Sequence, residues 1–215
     1  MRWTQRLAHV RLYLIMDATP RVPLPRFLDA AIDGGVDMVQ LREKRMEDDE
    51  LLAVAQACAQ TCRRRGVPFI VNDRADISLA ADADGVHVGH ADLPAAVVRS
   101  LVGAERIVGV STHSPSQIDG APDDADYIGV GPIHETPTKP GRPAVGSALV
   151  RYAVAHAGRP FFAIGGLDPS NVGDVIAAGG RGVSVYRWIV TSEDPARAAR
   201  EMLAAMRATR EEARS

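Results

Sequence analysis

Val36-Asp-Met-Val-Gln-Leu-Arg-Glu-Lys44 is a short apolar run that ends in polar groups, and its flanks decide how it folds. Upstream, residues 24–34 place apolar groups at helical spacing and stop at Gly34-Gly35, a helix terminus. Downstream, residues 47–64 are Ala-rich and amphipathic again. The run between two helices is therefore a buried strand, and the unit recurs along the chain. Apolar, β-prone runs at 12–16, 38–41, 69–71, 86–88, 107–110, 127–130, 161–164 and 183–188 each precede a helical pattern. Those patterns fall at 24–34, 47–64, 74–82, 94–102, 115–121, 146–157, 169–178 and 194–209. Strict alternation predicts a parallel sheet with right-handed crossovers. Eight repeats in 215 residues fit a compact α/β fold, a single (β/α)8 TIM barrel, better than an open doubly wound sheet. One domain then spans 1–215, with 1–9 and 208–215 at its periphery. Helix punctuation agrees: Asp92-Leu-Pro94 and Asp168-Pro169 read as N-caps with proline in the first turn, and Gly179-Gly180 as another stop.

Composition narrows the function. The 25 Lys and Arg nearly balance 27 Asp and Glu, so no basic field exists to hold nucleic acid. No uncharged run reaches the roughly 20 residues of a membrane span, and the first residues carry no apolar signal core. A cytoplasmic location is expected, with no membrane partner. Cys58 and Cys62 share one helical face, but no second pair completes a zinc site, so both are expected to be reduced and buried.

In a barrel the polar residues worth reading lie at strand C-termini, where the mouth is built. Gln40, Arg42 and Lys44 are two apart, so strand alternation puts all three on one face. Two cations and an amide at the end of a buried strand need an anion to meet them. The third run ends in Asn72-Asp73, and the fourth leads through His87 and Gly89 to Asp92. The fifth ends at Ser111, with His113 beyond. The sixth enters the longest irregular piece, 133–146, which carries Thr136-Pro-Thr-Lys139. The seventh ends in Gly165-Gly166, and the eighth near Tyr186-Arg187. Taken singly, Asp92 reads first as a helix cap, Asp73 as a helix start, and His87 and His113 as packed, hydrogen-bonded side chains. Taken together they converge on one rim.

The combination is selective. Two carboxylates on adjacent strands can hold Mg²⁺ while phosphate and water fill its remaining positions. Arg42, Lys44 and Lys139 can neutralise a diphosphate. Backbone amides at Gly165-Gly166 and after the eighth strand form a single-phosphate site. The mouth thus reads as two anion sites, one with a metal and one without, suited to joining a diphosphate to a monophosphate. No Ser-His-Asp or Cys-His set suggests covalent catalysis.

These residues resemble the thiamine phosphate synthase family. The resemblance runs in order through Gln40-Leu-Arg-Glu-Lys44, Asn72-Asp-Arg74, Asp84-Gly-Val-His-Val-Gly89 with Asp92, Gly109-Val-Ser111, Gly129-Val-Gly-Pro132, Thr136-Pro-Thr-Lys139 and Ala163-Ile-Gly-Gly166. It implies a (β/α)8 enzyme of thiamine biosynthesis, a Mg²⁺-dependent transferase. Such an enzyme couples hydroxymethylpyrimidine diphosphate to a thiazole phosphate, giving thiamine monophosphate and diphosphate. It further implies Asp73 and Asp92 as Mg²⁺ ligands. Gln40, Arg42, Lys44, Asn72, Ser111 and Lys139 would lie on the pyrimidine diphosphate, with Arg42, Lys44, Lys139 and Ser111 acting in catalysis. Thr136, Thr138, Gly165, Gly166 and backbone at Tyr186-Arg187 would hold the thiazole phosphate. The chain departs from the family at His134-Glu135, where an aromatic or apolar residue and then proline are common, and at Arg187, where serine is common.

Two other readings use the same barrel: a thiazole tautomerase-like isomerase with His113 as its acid–base group, and a non-catalytic sensor of thiazole phosphate or thiamine phosphate. Neither needs the paired aspartates. A homo-oligomer is compatible with the sequence.

Overall fold

The structure, a computed structural model, describes residues 3–136 and 143–212. Its strands are β1 (Leu12–Met16), β2 (Met38–Leu41), β3 (Phe69–Asn72), β4 (Gly85–Val88), β5 (Ile107–Thr112), β6 (Tyr127–Val130), β7 (Phe161–Ile164) and β8 (Gly182–Val185). Each pairs in parallel with the next, and β8 pairs with β1, which closes the barrel. The helices between them are α2 (Leu24–Asp33), α3 (Asp48–Arg65), α4 (Ala75–Ala80), α5 (Ala95–Val102), α6 (Pro115–Asp119), α7 (Gly146–His156) and α8 (Val172–Ala177). A short helix α1 (Trp3–Leu7) precedes β1, and α9 (Arg187–Val190) and α10 (Pro195–Glu212) follow β8. The expected TIM barrel is the observed fold. No helix among the described residues is long and apolar enough to cross a membrane.

Alternation along each strand sorts its residues into two layers. Leu12, Leu14 and Met16 face outward and join Phe27, Leu28 and Ala31 of α2 in the core between sheet and helices. Tyr13 faces inward and meets Met38, Ile70, Ile107, Tyr127 and Phe162 in the floor of the barrel. Three rings of that floor pack edge to face: Tyr13–Phe162 centroids are 5.2 Å apart, Tyr127–Phe162 5.4 Å and Tyr13–Tyr127 5.9 Å. The Tyr127 ring has room because β5 carries glycine opposite it. A Cβ on Gly109 would lie 2.2 Å from Tyr127 Cζ, far inside contact distance. Leu7 and Val10 seal the floor from below, so the N-terminal segment expected at the periphery contributes to the core.

Three sequence expectations are corrected. The eighth run, read as extended through Trp188, is strand only to Val185. Its ladder with β1 ends at the Leu14–Val185 pair, and the chain turns at Tyr186 into α9, which buries Ile189 and Val190. The aspartates read as N-caps are not caps. Asp168 Oδ1 accepts the Ser170 N–H at 2.8 Å, and α8 starts only at Val172. Asp92 Oδ2 reaches back to the Gly89 N–H at 2.8 Å, and α5 starts at Ala95 after Pro94. Asp92 is thereby turned toward the strand ends. The Gly34-Gly35 and Gly179-Gly180 stops are as expected, with Gly35 and Gly179 at positive φ.

At the opposite, N-terminal face, Asp126 Oδ2 accepts from Arg99 Nη2 at 2.6 Å and from the Val108 N–H at 2.8 Å. Asp126→Ala orphans both donors and is expected to cost about 2 kcal/mol of stability with kcat unchanged. Denaturant unfolding beside a steady-state assay checks it.

Candidate active site

Above the aromatic floor, a cavity of about 390 Å³ opens at the C-terminal ends of the strands. The next inward layer is polar: Gln40 on β2, Asn72 at the end of β3, His87 on β4, Ser111 on β5 and Ser184 on β8 all line it. The same parity that buries Met38 and Ile70 brings Gln40 and Asn72 to the mouth two residues later. Asn72 Nδ2 is buried without a hydrogen-bond partner among the described residues, a donor that a ligand oxygen would satisfy.

On one rim the charged groups gather. Arg42 lies one residue past β2, its amide still bonded to Met16 O at 2.8 Å, and lines the cavity. Lys44 arrives differently from the expected strand alternation. Glu43 Oε1 accepts the N–H groups of Lys44 and Arg45 at 2.7 and 2.9 Å and bends the chain there. Lys44 Nζ then lies 3.1 Å from Asp73 Oδ2. Asp73 itself sits at φ 63°, and its amide donates to His87 O at 2.8 Å, which places it across the β3–β4 end beside Asp92. Burial raises the Asp73 pKa, and the neighbouring Asp92 raises it further, against the pull of Lys44. Lys44, Asp73 and Asp92 flank the cavity rather than line it.

Two converging carboxylates, one made costly to ionise by burial and by its neighbour, form an oxygen-only pair that a divalent cation would relieve. No cluster of three or more His, Cys, Asp or Glu suited to a metal exists among the described residues. A carboxylate pair is a donor set suited to Mg²⁺, which is commonly held by one or two carboxylates plus substrate phosphate. Asp73→Asn suits the left-handed backbone there and removes the like-charge contact. It is expected to stabilise the metal-free protein by about 0.5 kcal/mol while abolishing any Mg²⁺-induced rise in melting temperature. Thermal melts with and without Mg²⁺ check both halves.

Across the cavity, Gly165 and Gly166 take φ 110° and 60° directly after β7. Their carbonyls are engaged, by the His134 N–H at 3.1 Å and by Asn171 Nδ2 at 2.8 Å. Thr136, Tyr186 and Arg187 line the same side. Tyr186 donates to Asp17 Oδ2 at 2.5 Å, and burial with that carboxylate pushes its phenol up to about 12, so it stays protonated. Thr138 and Lys139 lie outside the described residues. Both histidines are hydrogen-bonded as read from sequence: His113 Nδ1 lies 2.5 Å from Gly131 O, and His87 bridges Tyr127 and Ser111 at 3.0 Å each.

Sequence reading missed Tyr13 and Tyr127, which reach the cavity floor from within apolar runs. A signal existed in strand parity, because Tyr13 alternates with outward Leu12 and Leu14.

Fold and mouth together define a TIM-barrel protein that gathers cations, paired carboxylates and a glycine turn around one cleft at the strand C-termini. The family model described as Thiamine monophosphate synthase matches residues 12–189, and the chain belongs to that family. It is 50% identical over 206 residues to the thiamine-phosphate synthase of Acidothermus cellulolyticus, covering 94% of this chain and 97% of that protein. With the thiamine-phosphate synthase of Streptomyces avermitilis it shares 47% over 206 residues, covering 94% and 96%. The solved thiamine phosphate pyrophosphorylase of Pyrococcus furiosus superposes with a TM-score of 0.85 at 28% identity, covering 94% of this chain and 98% of that one.

Proposed function

We propose that the protein is a thiamine phosphate synthase, joining hydroxymethylpyrimidine diphosphate to a thiazole phosphate to give thiamine monophosphate and diphosphate. The observation that carries this reading is that one cavity separates the Lys44–Asp73–Asp92 cluster from the Gly165-Gly166 turn. An isomerase or a sensor of a single phosphate would have use for the glycine turn alone.

Asp73 and Asp92 would hold Mg²⁺, which when bound supplies positive charge to the departing diphosphate. Arg42 and Lys44 would meet the outer oxygens of that group, with Lys139 joining from the 133–146 loop. Asn72 Nδ2 would donate to it, and Gln40 and Ser111 would seat the pyrimidine ring. The thiazole phosphate would rest on Thr136, Thr138 and the N–H groups of the Gly165-Gly166 turn, with Tyr186-Arg187 alongside. The bond from the pyrimidine methylene to diphosphate breaks, both its electrons leaving with oxygen, and the thiazole nitrogen lone pair forms the new C–N bond. That nitrogen carries no proton to remove, so no general base is required. His87 and His113, both already hydrogen-bonded, are consistent with this. Catalysis is electrostatic and positional.

Calorimetry tests the two-site reading. Binding of the pyrimidine diphosphate is expected to require Mg²⁺, and binding of the thiazole phosphate to be indifferent to it. Metal-independent binding of both would contradict the assignment.

A further inference from the structure

Beneath the cavity an unbroken chain of side-chain hydrogen bonds crosses the barrel from β2 to β5. Gln40 Nε2 donates to the Tyr13 hydroxyl at 2.5 Å, and the Tyr13 and Tyr127 hydroxyls are 2.8 Å apart. The Tyr127 hydroxyl is 3.0 Å from His87 Nδ1, and His87 Nε2 is 3.0 Å from Ser111 Oγ. The two ends, Gln40 and Ser111, line the cavity, and buried Tyr127 at the centre forms part of its floor. The chain requires the missing side chain of Gly109, whose place the Tyr127 phenol occupies.

Hydrogen accounting gives the chain a direction. Burial raises both phenols well above their ordinary pKa, so each keeps its proton and has one hydrogen to place. With Gln40 Nε2 donating to Tyr13, the Tyr13 hydrogen goes to Tyr127. Tyr127 passes its hydrogen to His87 Nδ1. The neutral imidazole then carries its proton on Nε2 and donates to Ser111 Oγ. Ser111 is left with its hydrogen to offer to the cavity, and the Gln40 amide with Oε1 as an acceptor. With the Gln40 amide presenting Nε2 to Tyr13, reversing the His87–Tyr127 link would leave a buried phenol hydrogen with no acceptor in the chain, and the opposite order would need Oε1 turned to Tyr13.

We propose that Tyr13, Tyr127 and His87 form a positioning relay that fixes the Gln40 amide and the Ser111 hydroxyl in one donor–acceptor order. The cavity floor then selects a flat heteroaromatic ligand that offers a hydrogen to Gln40 Oε1 and a lone pair to Ser111. The ligand half of this inference rests on the proposed function, where it favours an amino-substituted pyrimidine over its oxo counterpart. The relay itself does not.

Nitrogen NMR of ¹⁵N-histidine-labelled protein, with His87 assigned by His87→Gln, tests it. The ligand-free wild type is expected to show a pyrrole-type Nε2 and a pyridine-type Nδ1. Tyr127→Phe is expected to scramble that tautomer and to raise KM for the pyrimidine diphosphate about tenfold, leaving KM for the thiazole phosphate unchanged. A proton on Nδ1 in the wild type, a wild-type signature in Tyr127→Phe, or an equal rise in both KM values would overturn the relay. Should Tyr127→Phe fail to fold, Tyr13→Phe breaks the adjacent link and is read by the same signals. Because the tautomer needs no turnover, the expected spectrum in a protein without synthase activity would sink the proposed function and leave the relay standing.

Discussion

Asp92→Ala is expected to fold and to turn over about a hundredfold more slowly or worse, the cost of about 3 kcal/mol for one lost electrostatic contact in the transition state. The carboxylate has two separable jobs. It accepts the Gly89 N–H at 2.8 Å, a local bond worth about 1 kcal/mol. It also faces Asp73, and on the proposed assignment the pair would give a cation two oxygen ligands. Asp92→Asn separates these, since the amide oxygen can still accept from Gly89 while the charge is gone. Steady-state kinetics should find the asparagine variant as slow as the alanine one and closer to wild type in stability. An active asparagine variant would make Asp92 a structural residue. Lys44→Ala is expected to match Asp92→Ala in rate, because it removes the cation 3.1 Å from Asp73 Oδ2 and, on the proposed assignment, one charge that would meet the leaving group.

Gly165→Ala should be strongly destabilising, by about 3 kcal/mol or more. Two causes add. The residue holds φ 110°, which L side chains rarely adopt, and its new Cβ would lie 2.5 Å from Pro132 Cβ and 2.9 Å from Ile133 N. Neither neighbour can retreat easily, because Ile133 N bonds to Ile164 O at 2.8 Å and ties the β6 and β7 ends together. The turn must move, and the proposed single-phosphate site would move with it. A fall in the urea midpoint, with a KM increase confined to the thiazole phosphate, is the expected pattern. A rise in KM for the diphosphate substrate alone would put the monophosphate elsewhere.

The barrel was legible because buried parallel strands advertise themselves as short apolar runs, and eight runs with helical patterns between them admit few topologies. The mouth was legible through the same geometry, because residues such as Gln40, Asn72 and Ser111 stand where apolar runs end. What escaped depends on contacts between distant segments. Nothing near Tyr13 in the chain announces Tyr127, 114 residues away, yet their hydroxyls meet in the floor. Asp92 looked like a cap because proline follows it closely, and only the folded chain shows its carboxylate turned back to Gly89. Helix α9 was hidden because Val183, Val185, Tyr186 and Trp188 are β-prone, while the ladder to β1 ends at the Leu14–Val185 pair, where the chain turns at Tyr186.

The most direct test of the central claim is diphosphate release from purified protein mixed with hydroxymethylpyrimidine diphosphate, the thiazole phosphate and Mg²⁺, each omitted in turn. Two anion sites acting on one bond predict release only when all three are present, with one thiamine monophosphate formed per diphosphate. Release that proceeds equally without the thiazole phosphate, or without Mg²⁺, would contradict it.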